Sequence, residues 1–168
     1  KCMAPVAGKP FLSHIISYLL RQKVNSFIFS LGYMHEAIES YLHEEYPGLN
    51  YTTCIEEEPL GTGGAIRLAC IKATQQNVLV LNGDTLFSID AMKLMHFHER
   101  EMAACTLSLK PMTDFNRYGV VEINQDGNIQ SFLEKQYYEA GLINGGVYAL
   151  NVQSFMELPF PDKFSFEK

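Results

Sequence analysis

Apolar residues Leu12, Ile15, Ile16, Leu19 and Leu20 recur between Phe11 and Arg21 at the three- and four-residue steps of a helix, which predicts an amphipathic helix there. Val24 to Leu31 is short, β-branched and aromatic and ends at Gly32, so it predicts a strand largely buried on both faces. A second helix follows, with Ile38, Tyr41, Leu42 and Tyr46 along one side and Pro47-Gly48 as its stop. Leu49 to Ile55 alternates weakly as a strand. Beyond it the acidic run Glu56-Glu57-Glu58 leads through Pro59 into a turn holding Gly61, Gly63 and Gly64, and a helix is expected from about Ala65 to Ala73. Val78 to Leu81 reads as a buried strand ending in Asn82-Gly83-Asp84, and Ser88 or Asp90 can cap a helix that continues to about Glu101.

Strand and helix alternate through residue 101, the pattern of a parallel α/β sheet. The pattern then changes. Ala104 to Lys110, Tyr118 to Asn124 and Asn128 to Glu134 read as strands, the last two joined by the hairpin turn Asp126-Gly127, and Gly146 to Leu150 is one more. The expected class is therefore α/β, a mixed and mostly parallel sheet flanked by helices, with an antiparallel β part laid onto it. No linker rich in Gly, Ser or Pro divides residues 1–168 and no repeat is visible, so one domain is expected.

Composition narrows the class of partner. The chain has 168 residues, 47% hydrophobic and 19% charged, enough for a core without metals or disulfides. A formal net charge of −6 has the wrong sign for tracking a nucleic-acid backbone, so a small-molecule partner is expected and no nucleic acid. Apolar runs such as Val78 to Leu81 fall far short of the roughly 20 residues that cross a bilayer, and no signal-peptide pattern opens the chain; the expectation is a soluble, cytoplasmic protein without a membrane partner. Cys2, Cys54, Cys70 and Cys105 form no Cys-x-x-Cys pair and read as reduced, buried small hydrophobes. The chain opens on Lys1 and stops at Phe166-Glu167-Lys168, and is expected to be cut at both ends.

Several segments can carry chemistry, each with a plainer alternative. In Glu57 to Ala65 the glycines let backbone approach a ligand and the next helix N-terminus offers free N–H groups, or the segment is simply a tight turn. It lacks the Gly-Lys-Ser/Thr ending of a P-loop and the Gly-x-Gly-x-x-Gly fingerprint. Asp84 stands where a buried strand ends, which is where open α/β sheets put ligands, and can hold Mg²⁺ or merely cap a turn. Glu134-Lys135 at a strand end and Asn144-Gly145-Gly146 at the start of another suit phosphate and hydroxyls, or simply decorate the surface, and the same two readings hold for Asp114, Arg117 and the turn before Tyr118-Gly119. His96 and His98 point to different helix faces, and His14, His35 and His43 have no companion at ligand spacing, so no histidine is assigned chemistry.

Taken in order, these pieces resemble the sugar-phosphate nucleotidylyltransferases, or nucleoside-diphosphate-sugar pyrophosphorylases. The residues are Lys1-Cys-Met-Ala-Pro-Val-Ala-Gly-Lys-Pro10, Leu60-Gly61-Thr62-Gly63-Gly64-Ala65, Asn82-Gly83-Asp84, Tyr118-Gly119-Val120, Glu134-Lys135 and Asn144-Gly145-Gly146-Val147-Tyr148. The first of these and Phe115-Asn-Arg-Tyr-Gly-Val-Val-Glu122 are most similar to guanylyltransferases acting on mannose- or heptose-1-phosphate. The resemblance implies a Rossmann-like nucleotide-binding fold with a sugar-binding antiparallel part. It implies transfer of a nucleotidyl group from a nucleoside triphosphate, GTP in this branch, to a sugar-1-phosphate, with release of pyrophosphate. It further implies that Asp84 binds Mg²⁺, Lys1 faces the triphosphate and Lys135 neutralises the sugar phosphate. Gly61, Thr62 and Gly63 would hold base and ribose, while Gly119, Glu134 and Asn144 read sugar hydroxyls. The family's first strand with its glycine-rich triphosphate loop, and its second metal-binding Asp, are expected outside residues 1–168.

Two other classes compete. A relative with the same fold that senses a nucleotide-sugar or serves as an assembly subunit would not need Asp84 and Lys135, and both are present. A glycosyltransferase would need an Asp-x-Asp metal pair, and Asn82 stands in its first place. Oligomeric state is open, a homo-oligomer included, with Phe155, Phe160, Phe164 and Phe166 crowding the C-terminal end.

Overall fold

The structure is a computed structural model, and it describes residues 1–167. A short antiparallel hairpin, β1 (Pro5–Val6) and β2 (Lys9–Pro10), runs straight into helix α1 (Phe11–Arg21). No side chain caps α1; instead Phe11 N–H donates to the Ala4 carbonyl and Leu12 N–H to the Cys2 carbonyl, each at 2.9 Å. Those bonds satisfy first-turn donors that would otherwise be orphaned, and they fix the path of residues 1–4. Four of the five residues of the expected stripe are buried, Leu12, Ile15, Ile16 and Leu19 facing the core, while Leu20 at its edge is exposed.

β3 (Phe27–Leu31) pairs in parallel with β4 (Tyr51–Ile55) through α2 (His35–Glu45), whose Ile38 and Leu42 pack with Leu12, Ile16 and Leu31. The strand begins three residues later than the sequence reading, because Lys23 turns with φ 64° and Val24 N–H bonds back to Leu19. α3 (Gly61–Cys70) follows β4, and β5 (Asn77–Leu81) precedes α4 (Ala91–Arg100). The expected cap of α4 is present, Asp90 Oδ1 accepting from Lys93 N–H at 3.0 Å.

The second half is built on one long strand, β9 (Tyr138–Asn151), with β5 antiparallel on one side and β6 (Cys105–Phe115) antiparallel on the other. β7 (Val121–Ile123) and β8 (Ile129–Phe132) form the hairpin expected around Asp126-Gly127, and α5 (Val152–Met156) closes the chain of elements. The mixed α/β class therefore holds, and its parallel ladder joins β3 to β4. β5 does not extend that ladder among the described residues; it takes its main-chain partners from β9, which reaches far beyond the expected Gly146–Leu150. Side chains bridge the two ladders, since Ile15 and Leu19 of α1 form one buried cluster with Phe27 of β3, and Phe29 of β3 and Leu81 of β5 pack against that cluster.

Two smaller expectations are corrected by packing. Cys54 and Cys70 are buried, but Cys2 and Cys105 are only half-buried. The C-terminal phenylalanines cluster with one another, Phe160 stacked on Phe164 at 4.5 Å and Phe155 within 6.4 Å of Phe160, Phe164 and Phe166.

Candidate active site

β9 forks beside the end of β5. Its pairing with β5 stops at Leu81 opposite Val147, while its pairing with β6 jumps from Leu107–Tyr148 to Leu109–Asn144. One β6 residue, Ser108, thus faces Gly145, Gly146 and Val147, and its hydroxyl donates to the Val147 carbonyl at 2.6 Å. Such a bulge bends the strand and re-aims its side chains, and it sits where an α/β sheet offers a crevice. Gly146 has φ +74°, a conformation that penalises any side chain. A Cβ on Gly145 would lie 2.2 Å from the Phe87 ring, and one on Gly146 would lie 3.6 Å from Asn82 Nδ2. The bulge therefore lets β9 lie directly against the loop that follows β5, the loop that carries Asp84.

That loop is held from the α1 side as well. The Tyr18 hydroxyl donates to the Ile89 carbonyl and accepts from Ile89 N–H at 2.6 Å, and Gln22 Oε1 accepts from Ala91 N–H at 2.7 Å. At its other end the half-exposed Asp84 carboxylate meets Lys1, Oδ2 to Nζ 3.8 Å, and Gly83 approaches Cys2. At 89% and 44% exposure this pair adds little stability, so its significance is placement: one cation and one carboxylate at the strand end.

The donor set is a thin one for a metal. Among the described residues no group of three His, Cys, Asp or Glu converges, and Asp84 offers one hard oxygen ligand. One carboxylate beside bound phosphates is the way Mg²⁺ is commonly held, whereas a dedicated protein cage is the habit of Ca²⁺ or Zn²⁺. The residues thus fit Mg²⁺ with phosphate co-ligands.

The glycine-rich segment lies elsewhere than expected in its own element: α3 begins at Gly61, so the glycines form the helix's first turn rather than a loop before it. The physical reason is the C-terminal segment, which is seated on that turn. Gly63 N–H donates to the Phe164 carbonyl and Phe164 N–H to the Leu60 carbonyl, both at 3.0 Å, while Phe166 N–H donates to Thr62 Oγ1 at 2.9 Å. A Cβ on Gly61 would lie 2.5 Å from the Phe164 carbonyl oxygen, one on Gly63 2.2 Å from the Phe164 ring, and one on Gly64 2.5 Å from the Asp162 carbonyl oxygen. Gly63 thus has its N–H engaged within the chain, and the exposed side of Gly61 and Thr62 is what this turn presents to a ligand. Glu56, read in the sequence only as part of an acidic run, anchors the approach by accepting from Leu60 N–H at 3.1 Å.

Gly119 and Glu134 are brought together. A Cβ on Gly119 would lie 2.3 Å from the Leu133 carbonyl oxygen, and Leu133 N–H donates to the Val120 carbonyl at 2.8 Å. Tyr138 donates to the Glu134 carbonyl at 2.9 Å, which leaves the Glu134 carboxylate and the Lys135 ammonium on an exposed turn just past β8. Among the described residues Lys135 makes no ion pair, with Asp84 or otherwise. Asn144 stands at the fork, half-buried. Asp114, weighed as surface polarity, accepts from the Tyr137 hydroxyl at 3.0 Å.

Three of the four cysteines are held as thiols by burial. Burial pushes the Cys70 and Cys105 thiols up to about 11, and Cys54 also upward. Three of the five histidines are engaged structurally, His14 on the Val6 carbonyl at 2.8 Å, His35 on Glu39 at 2.9 Å and His98 on Thr106 at 2.8 Å. What remains is a site of positioning and charge: a carboxylate, two lysines, main-chain donors at a helix N-terminus and amide and carboxylate groups suited to hydroxyls. Tyr18, Gln22 and Glu56 support it through their hydrogen bonds to Ile89, Ala91 and Leu60, and Tyr148 through its bond to Asn144; Tyr18 and Gln22 look like ordinary helix residues in the sequence, Glu56 is only part of an acidic run, and Tyr148 is seen only as the last residue of a motif.

Comparison with known proteins gives the chain's relatives. Residues 1–160 match the family model described as nucleotidyl transferase. The chain is 48% identical over 168 residues to D-glycero-alpha-D-manno-heptose 1-phosphate guanylyltransferase of Aneurinibacillus thermoaerophilus, covering 100% of this chain and 73% of that protein. It is 31% identical over 170 residues to mannose-1-phosphate guanylyltransferase of Mycobacterium tuberculosis, covering 100% of this chain and 47% of that one. The crystal structure of HddC from Yersinia pseudotuberculosis complexed with GMP-PN superposes with a TM-score of 0.89 at 35% identity, over 99% of this chain and 73% of that one.

Proposed function

This chain belongs to the nucleotidyl transferase family, and from that premise we propose that it transfers a guanylyl group from GTP to a sugar-1-phosphate of the heptose or mannose type, giving a nucleotide-sugar and pyrophosphate. The observation that carries this reading is the fork of β9, which sets Asn144-Gly145-Gly146 against the Asn82–Phe87 loop while Lys1 stands 3.8 Å from Asp84. In-line attack of a phosphate oxygen on the α-phosphorus asks for positioning and charge neutralisation rather than covalent chemistry.

In this reading Asp84 holds Mg²⁺, which when bound would neutralise phosphate charge. Lys1 faces the triphosphate and Lys135 the sugar phosphate, local cations on a chain of net charge −6. Gly61 and Thr62 lie along base and ribose while Gly63 holds their turn against Phe164, Gly119 lets the chain come close to the sugar, and Glu134 and Asn144 meet its hydroxyls. No helix among the described residues is long and apolar enough to cross a membrane. The four unpaired thiols suit the reducing cytoplasm in which we place the enzyme.

The test is pyrophosphate release with Mg²⁺, crossing GTP, UTP, dTTP, CTP and ATP with mannose-, heptose- and glucose-1-phosphate. Release is expected with GTP and a heptose- or mannose-type acceptor, and Asp84→Asn should lower it by about 10²-fold or more, the scale of losing one electrostatic group. Absence of release with every pair, while a nucleotide-sugar still binds, would instead mean a non-catalytic sensor or assembly subunit.

A further inference from the structure

Asn144 is held by its own chain in a way that leaves half of its amide free. Gly146 N–H donates to Asn144 Oδ1 at 2.8 Å, which fixes the oxygen end, and Nδ2 donates to the Tyr148 hydroxyl at 2.8 Å. A hydroxyl that accepts there keeps its own proton to give, and Tyr148 gives it to Glu167 Oε1 at 2.5 Å. A primary amide has two N–H groups and two lone pairs, so one of each remains on Asn144 for a ligand. Tyr148 is 3% exposed, and burial together with the Glu167 carboxylate raises its ionisation far above the usual phenol range, which keeps it a donor.

Glu167 is in turn part of the segment seated on the α3 turn. Phe166 donates its N–H to Thr62 and packs edge-on against the Tyr148 ring at 5.0 Å. Residues 164–167 thus touch the glycine turn at one end and the Asn144 amide, through Tyr148, at the other.

We propose that Tyr148 and Glu167 are positioning residues for sugar recognition, orienting the Asn144 amide from a segment that rests on the nucleotide-side turn. The proposal rests on the reading of Asn144 as a sugar contact given above. Neither residue touches substrate; each acts through Asn144.

The experiment is steady-state pyrophosphate release by the purified protein and its variants Tyr148→Phe, Glu167→Ala and Glu167→Gln, with thermal melts to check folding. Tyr148→Phe and Glu167→Ala are expected to raise KM for the sugar-1-phosphate about ten-fold and leave KM for GTP within about two-fold, the scale of one misdirected hydrogen bond. Glu167→Gln keeps an acceptor oxygen and should recover most of the loss. The Tyr148→Phe/Glu167→Ala double variant should be no worse than either single one, because both cut the same chain of hydrogen bonds. If Tyr148→Phe disturbs folding, the exposed Glu167 pair decides. An unchanged sugar KM, equal rises in both KM values, or no recovery with Gln overturns the proposal while leaving the site reading intact. A wild type that releases pyrophosphate with no sugar-1-phosphate removes the site reading and the proposal with it.

Discussion

His98 is buried to 1% exposure between α4 and β6, with Nδ1 on the Thr106 hydroxyl and no partner among the described residues for Nε2. A second proton would put an unpaired charge in the core, so burial lowers its pKa below the ordinary 6.5, the nearby Glu99 carboxylate opposing this only in part. The unfolded chain therefore takes up the proton first as pH falls, and the stability His98 contributes is present above 6.5 and lost as pH drops below it. Urea midpoints are expected to decline from pH 7 to pH 5, and His98→Leu, though less stable overall, should show a flatter decline; equal slopes would exclude His98 as the cause. Lys135 is the opposite case, an exposed ammonium that the proposed function assigns to the sugar phosphate. A charge-assisted contact is worth about 1.5–3 kcal/mol, so Lys135→Ala should lower kcat/KM for the sugar-1-phosphate by about ten- to a hundredfold without shifting the melting temperature.

The first turn of α3 and residues 162–166 behave as one unit, although about a hundred residues of chain, counted in loop-closure terms, separate them. Gly61 carries both penalties a side chain can meet, φ +74° and a Cβ position 2.5 Å from the Phe164 carbonyl oxygen. Gly61→Ala should therefore cost about 1–3 kcal/mol, seen as a lower urea midpoint and faster proteolysis after α5, whereas Gly48→Ala, with nothing within 4 Å, should not. The same unit explains what could be read in advance. α1 was legible to its ends and α2 in its existence and its Ile38 and Leu42 stripe because such stripes are local and periodic, and Asp90 announced the cap of α4. The start of α3 was not, because glycines are poor helix formers and this turn is held by the distant Phe164. Nor was the length of β9, since Gly141, Gly145 and Gly146 break its apolar alternation while pairing with β5 and β6 sustains it. In the site, the motif order brought Lys1, Asp84 and Asn144 to attention and the fold sets the first two together with the third close by. Tyr18 stayed silent, and Tyr148 showed only as the end of a motif, because the Ile89 and Glu167 groups they hold lie 71 and 19 residues away.

At the scale of the whole molecule the ladders are unequal. β9 is paired on both sides, by β5 and β6, whereas β3 has β4 on one side and no ladder on the other among the described residues. β5 likewise shows no ladder away from β9. The two ladders are joined by side chains, chiefly Ile15 and Leu19 of α1 lying across Phe27, Phe29 and Leu81, and by Tyr18 holding the loop after β5. A ladder paired on both flanks opens only with the fold, while a two-stranded one opens at a lower free energy. Hydrogen exchange should therefore find the amides of Val147 to Leu150 slowest and those of Phe27 to Leu31 measurably faster. Ile15→Ala cuts into the cluster on which β3 and β5 both pack, and it should cost about 2–5 kcal/mol, as core truncations of this size do. If α1 is what couples the halves, that variant should speed exchange in β3 and β4 far more than in β9, and should weaken GTP use by loosening the loop that bears Asp84. Uniform acceleration across both ladders would mean instead that the sheets share one cooperative unit and that α1 is only part of its core.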